Sequence, residues 1–107
     1  MNQPLDVLVF YSPVGSTEDV LAAVFAAGAG AIGDYTECAW YVEGTGRFRP
    51  GAGANPTIGA VGELETLPEH RVEVTFPRDR RAAVVAALRA AHPYEEPAFH
   101  VLETGAV

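Results

Sequence analysis

Apolar positions along this chain follow two different spacings, and the switch between them falls at prolines and glycines. "LDVLVFYSP" (5–13) is an unbroken β-branched and aromatic run closed by Ser-Pro, the pattern of a buried strand. "STEDVLAAVFAAGAG" then moves to helical spacing. Ser16 or Thr17 can cap it, Glu18 and Asp19 suit its first turn, and Val20, Leu21, Val24 and Phe25 share one face. Gly28 or Gly30 ends this helix, predicted over 16–28. The second half repeats the order. "RVEVTFP" (71–77) alternates strictly, with Val72, Val74 and Phe76 inward and Glu73 and Thr75 outward. A helix predicted over 78–91 follows, with Val84, Val85 and Leu88 as its stripe, and then a short strand over 98–103. Between the halves, residues 35–43 and 58–67 are predicted strands flanking a Gly/Pro-rich excursion.

Strand–helix–strand written twice is the grammar of the split βαβ, or ferredoxin-like, α+β fold (βαββαβ). It predicts a four-stranded antiparallel sheet with both helices on one face and an extra β-ribbon near 44–56. The other face must be covered or remain polar. Trp40, Tyr41, Phe48 and Tyr94 are more aromatic surface than a small open sheet hides, which points to a partner. Trp40 and Tyr41 fall on opposite faces of their predicted strand, one toward the core and one toward an interface.

Composition narrows the picture. A chain of 107 residues fits a single domain, 1–107, with one core. Its longest apolar stretch, Val20 to Ile32, is too short and too rich in alanine and glycine to span a membrane. "MNQPLD" has no secretory pattern, so the expected location is the cytoplasm. A net charge of −7 argues against nucleic-acid binding, which needs basic side chains to neutralise phosphates. Lysine is absent, which removes a Walker lysine and a Schiff-base nucleophile. Cys38 is the sole cysteine, so there is neither an internal disulfide nor a cysteine zinc cage, and it reads as a buried, inert thiol within "YTECAWYV". Asp34 after Gly33 reads as turn chemistry, and His70 in "PEHR" as a solvated turn residue.

Two segments carry the candidate chemistry. "GTGRFRPGAGANP" (44–56) offers backbone N–H groups at Gly44, Gly46, Gly51 and Gly53 with Arg47 and Arg49, an arrangement able to cradle an anion. It lacks GK[ST] and does not run from a strand into a helix, so it is no P-loop. Arg47-Phe48-Arg49 equally fits a ribbon docking on a neighbouring subunit, with Phe48 opposite the arginines. In "AAHPYEEPAFHV" (90–101), the prolines push His92 and Glu96 to extended backbone, ending the helix near residue 91 and aiming the next strand. The alternative is that His92, Glu95 and Glu96, with His100, bind a divalent cation, since an imidazole and two carboxylates suit zinc or a similar ion. Carboxylates Glu95 and Glu96 are also placed to meet Arg47 or Arg49 of a neighbour as an interface latch.

From about Gly28 to Val101, "GTGRFRPGAGANP" with "HPYEEPA" resembles the PII-like insert domain of the YqfO-type dinuclear-metal toroid family, sometimes described as GTP cyclohydrolase-like. The second motif is also similar to the "HPYE-x-P" segment of CutA, the divalent-cation-tolerance protein. Before Gly28 only the strand–helix pattern agrees. In the toroid family the metals sit on flanking domains that this sequence does not contain, so the hydrolase label does not carry over. The resemblance implies a stand-alone PII/CutA-like module that forms homotrimers, with a homodimer as the lesser choice. It also implies that Gly44, Gly46, Arg47, Phe48, Arg49, Asn55, Pro56 and Tyr94 serve an interface or a ligand loop, in the manner of the PII-family T-loop. The expected function is a non-catalytic regulatory or binding module with no required cofactor, taking a small anionic ligand or a protein partner. The alternative is a divalent-metal-binding or tolerance protein. For an enzyme no convincing constellation is visible.

Overall fold

The computed structural model describes residues 4–105. Its elements run β1 (Leu5–Pro13), α1 (Thr17–Ala26), β2 (Trp40–Phe48), β3 (Glu65–Pro77), α2 (Arg81–Ala91) and β4 (Phe99–Leu102). Each helix is entered through a strand-ending proline and one 3-10 turn, at 14–16 and at 78–80. The sheet order is β2-β3-β1-β4, and every neighbouring pair is antiparallel. This is the ferredoxin-like topology, with β3 and β1 at its centre.

Register decides which residues meet the helices, because residues paired across strands share a face. Tyr41, Val72, Phe10 and Phe99 form one row toward the helices. Leu8 with Val74 and Val101 forms the next. Against them pack Val20, Leu21 and Val24 of α1 and Val84 and Leu88 of α2, all buried. The strict alternation of 71–77 is realised as expected, with Val72, Val74 and Phe76 inaccessible. Among the described residues, no helix or second sheet covers the opposite face. There the rows read Trp40, Glu73, Val9, His100 and then Thr75, Val7, Leu102.

Three expectations are corrected. Residues 35–39 are not strand: Ile32 and Tyr35 close a tight turn, Glu37 has φ 57°, and β2 starts at Trp40. Residues 58–64 are loop, with Gly59 and Gly62 at φ 90° and 81°, the left-handed region that interrupts a strand. Finally, β3 runs unbroken from Glu65 through "LPEH" to Pro77. Pro68 is tolerated because β1 ends opposite Glu69, so β3 has one neighbour there. The ribbon therefore consists of the overhanging ends of β2 and β3, where Thr45 to Phe48 pair with Pro68 to Glu65. This overhang draws the molecule out to 51 Å against 24 and 23 Å in its other directions.

Candidate functional site

The site begins where α2 ends. His92 is extended, as a residue before proline must be, and its N–H closes the helix on Leu88 O at 2.8 Å. Its ring does not bond the helix carbonyls. It turns beneath β1, 2.6 Å from Tyr11 O through Nε2, while Tyr94 N–H donates to Nδ1 at 3.1 Å. Since Nδ1 accepts, Nε2 carries the proton and donates. Burial pushes this imidazole below the ordinary histidine range, which favours the neutral form that the two bonds require. Both nitrogens are thus committed to backbone groups. The structure does not bring His92, Glu95 and Glu96 together as a ligand set, and among the described residues no three His, Cys, Asp or Glu side chains are grouped closely enough to hold one metal ion. His100 sits apart on β4, opposite Val9 and exposed.

Beyond Pro93 the chain crosses toward the ribbon. Tyr94 O–H donates to Glu69 Oε2 at 3.0 Å, and its ring meets Phe48 edge-on at 5.7 Å. Burial, and then the Glu69 carboxylate, push the Tyr94 phenol well above its usual range, so it remains a donor. Glu69 lies directly over Gly46, where an added Cβ would overlap its carboxylate. The 49–64 loop folds back over this junction. Asn55 N–H donates to Glu95 Oε1 at 2.9 Å, Thr57 O–H to Pro93 O at 2.7 Å, and Arg49 to Gly62 O at 2.7 Å. Together these contacts enclose a cleft of about 280 Å³. Tyr11, Phe48, Pro50, Ile58 and Tyr94 give it apolar and aromatic walls, and Arg47, Glu69, Glu95 and Glu96 supply its charges.

The two motifs singled out in the sequence therefore meet within one chain. Phe48, Arg47, Pro56, Tyr94, Glu95 and Glu96 all line the cleft, and Asn55 fastens its lid. Arg49 is occupied elsewhere, and Gly44 has open space around it. Glu69, Tyr11, Thr57 and Ile58 were missed. The period-2 run Leu67, Glu69, Arg71, Glu73 was the available signal for Glu69, and the proline beside it hid that run.

Other expectations change here. His70 is no turn residue: it lies in β3, with Nδ1 2.7 Å from Thr17 Oγ1, which is 2.8 Å from Ser12 Oγ. Ser12 and Thr17 are 0% and 1% exposed, so this relay ties β1, α1 and β3 together and presents no nucleophile to solvent. Cys38 lies outside β2 and is partly exposed. Trp40 and Tyr41 do face opposite sides, yet both are exposed, 58% and 44%, so neither is core in the single chain.

No established family profile matches the chain. Individual proteins do. It is 58% identical over 97 residues to the Mycobacterium tuberculosis GTP cyclohydrolase 1 type 2 homolog, covering 91% of this chain and 26% of that protein. The crystal structure of a Bacillus cereus protein related to NIF3 superposes with a TM-score of 0.82 at 36% identity, over 97% of this chain and 26% of that one. Nearly all of this chain is closely similar to one part of the GTP cyclohydrolase 1 type 2 homologs. It spans about a quarter of the length of the curated relatives it matches. Periplasmic divalent cation tolerance protein CutA from Archaeoglobus fulgidus superposes with a TM-score of 0.68 over 96% of this chain and 86% of that one. At 14% identity that likeness concerns the fold alone. The chain thus joins close sequence kinship to part of the cyclohydrolase homologs with a CutA-like fold.

Proposed function

We propose that this chain is a non-catalytic, CutA/PII-like binding module that works as a homo-oligomer in the cytoplasm, a trimer before a dimer, with a regulatory role. The observation that carries this reading is the sheet face without a covering layer. Trp40, Val42 and Leu102 on that face are 58%, 47% and 48% exposed, and among the described residues the nine-residue strand β2 has a strand neighbour on one side only. A second copy that buries this face removes both liabilities at once. The cleft between the ribbon and the 92–98 segment is where such a module would hold a small ligand. A single arginine, Arg47, against three glutamates makes it a poor receptor for an anion. A neighbour's guanidinium on Glu95 and Glu96 is the related latch reading. The divalent-cation role in the name of CutA, a fold neighbour, is the weaker reading for this chain, because His92 has no nitrogen to give. Light scattering coupled to gel filtration tests the proposal: a mass of three chains supports it, two chains removes only the trimer, and a monomer at micromolar concentration defeats it.

A further inference from the structure

We infer that the cleft between the ribbon and the 92–98 segment is a receptor for a small organic cation, an ammonium or guanidinium group on a short apolar body. This inference rests on the reading of the chain as a binding module and gives its ligand a chemical class. Size comes first. At about 280 Å³ the cleft lies just under the roughly 300–1,000 Å³ of drug-sized ligand sites, so it suits a small molecule. Its walls come next. Phe48 and Tyr94 stand edge-to-face at 5.7 Å, aromatic surfaces of the kind over which a cation is held, and Tyr11 on β1 already carries the Arg71 guanidinium 5.9 Å from its ring.

Charge then sets the sign. Glu69, Glu95 and Glu96 line the cleft against Arg47 alone. Glu69 and Glu95 each accept one hydrogen bond, which leaves further lone pairs, and Glu96 and Arg47 have no side-chain partner among the described residues. Neither Glu95 nor Glu96 is in an ion pair among the described residues, so both carboxylates keep their charge for a ligand. The net charge of −7 adds a field that concentrates cations near the surface. The walls are also well fixed, because Tyr94, Asn55 and Thr57 are each hydrogen-bonded across the two segments, so little order remains to be bought by the ligand.

The same chemistry has two sources, a free amine or an arginine of a second copy, and one experiment separates them. Agmatine and phenethylamine are titrated calorimetrically into the full chain, with succinate as the anionic control and light scattering run alongside. The expected result is binding of at least one amine at one per chain, no binding of succinate, and an unchanged mass. Ring-proton NMR shifts should localise the amine to Phe48 and Tyr94. Glu95→Gln with Glu96→Gln keeps the acceptor for Asn55 N–H and should weaken binding about tenfold or more. Arg47→Ala should tighten it a few-fold, the opposite of its effect on an anion site. No binding of either amine, binding indifferent to the glutamine pair, or weaker binding in Arg47→Ala overturns the inference. Amine binding that occurs only as the oligomer dissociates also overturns it and assigns the cleft to a neighbour's arginine. An oligomer that ignores both amines defeats this inference and leaves the proposed function standing; a monomer that binds them does the reverse.

Discussion

At the scale of single residues, His92 and Gly46 show how little freedom the junction leaves. His92 is 6% exposed, and its ring spans two backbone groups, one from β1 and one from its own exit segment. Its folded pKa lies below the unfolded value of about 6.5, so below that pH the unfolded chain binds more protons than the folded one. Stability is therefore complete above about pH 6.5 and falls as the pH drops through the window beneath it. Urea midpoints measured from pH 8 to pH 5 should show this decline, and His92→Gln should flatten it. His92→Ala, which has no donor to replace Nε2–H, leaves Tyr11 O unpaired at about 1–3 kcal/mol for a buried acceptor, whereas the glutamine amide still offers an N–H. Gly46 is constrained by contact and not by its backbone angle. Gly46→Ala should displace Glu69 and break its bond to Tyr94, costing about 1 kcal/mol, whereas Gly44→Ala, with open space around it, should cost less. A thermal melt comparing the two alanines checks this; equal losses would show that Glu69 simply swings aside.

Among the elements, those with one dominant period were legible and those held by distant contacts were not. The periodicity placed α1, α2, β1 and the second half of β3 nearly where they lie, because burial against a single core imposes one spacing on each. It misplaced the start of β2 and split β3. Pro68 reads locally as a turn, and only the absence of β1 beyond Glu69 makes it acceptable in a strand. The cleft was half legible: "GRFRP" and "HPYEEP" stood out, while Glu69 and Tyr11 enter through pairings that no local pattern encodes. Another tie was invisible for the same reason. Asp6, inaccessible on β1, takes bidentate bonds from Arg78 at 2.9 and 2.8 Å and another from Thr104 N–H at 3.3 Å, joining β1 and the segment after β4 to the 3-10 turn that precedes α2. The Arg78 bonds hold Asp6 below the usual carboxylate range, so their stabilisation is present above about pH 4 and is lost as the pH falls further. Removing one partner strands the other, so Arg78→Met alone should lower the melting temperature more than Arg78→Met combined with Asp6→Asn. In the core, Leu88→Ala should cost about 2–5 kcal/mol, because its space between α2 and the sheet cannot collapse around the gap.

For the whole molecule, the uncovered sheet face turns the oligomer proposal into an optical measurement. Trp40 is the only tryptophan, so intrinsic tryptophan fluorescence reports on that position alone. It stands at the edge of the open face, 58% exposed in the single chain, in the row that continues through Glu73 and Val9 to His100. An aromatic residue at the centre of a buried interface loses its water, and its emission moves to shorter wavelength. A concentrated sample should therefore emit to the blue of free tryptophan, and dilution through the dissociation range should move the emission red. Trp40→Asp or Val42→Asp places a carboxylate on the same face beside Glu73, where docking would bury it without a partner. Either variant should run as a monomer while keeping its helical circular dichroism, because neither side chain belongs to the core beneath the helices. A red-shifted Trp40 at every concentration, in a chain that light scattering still weighs as a trimer, would show that the copies meet through the ribbon and leave the sheet face for a different partner.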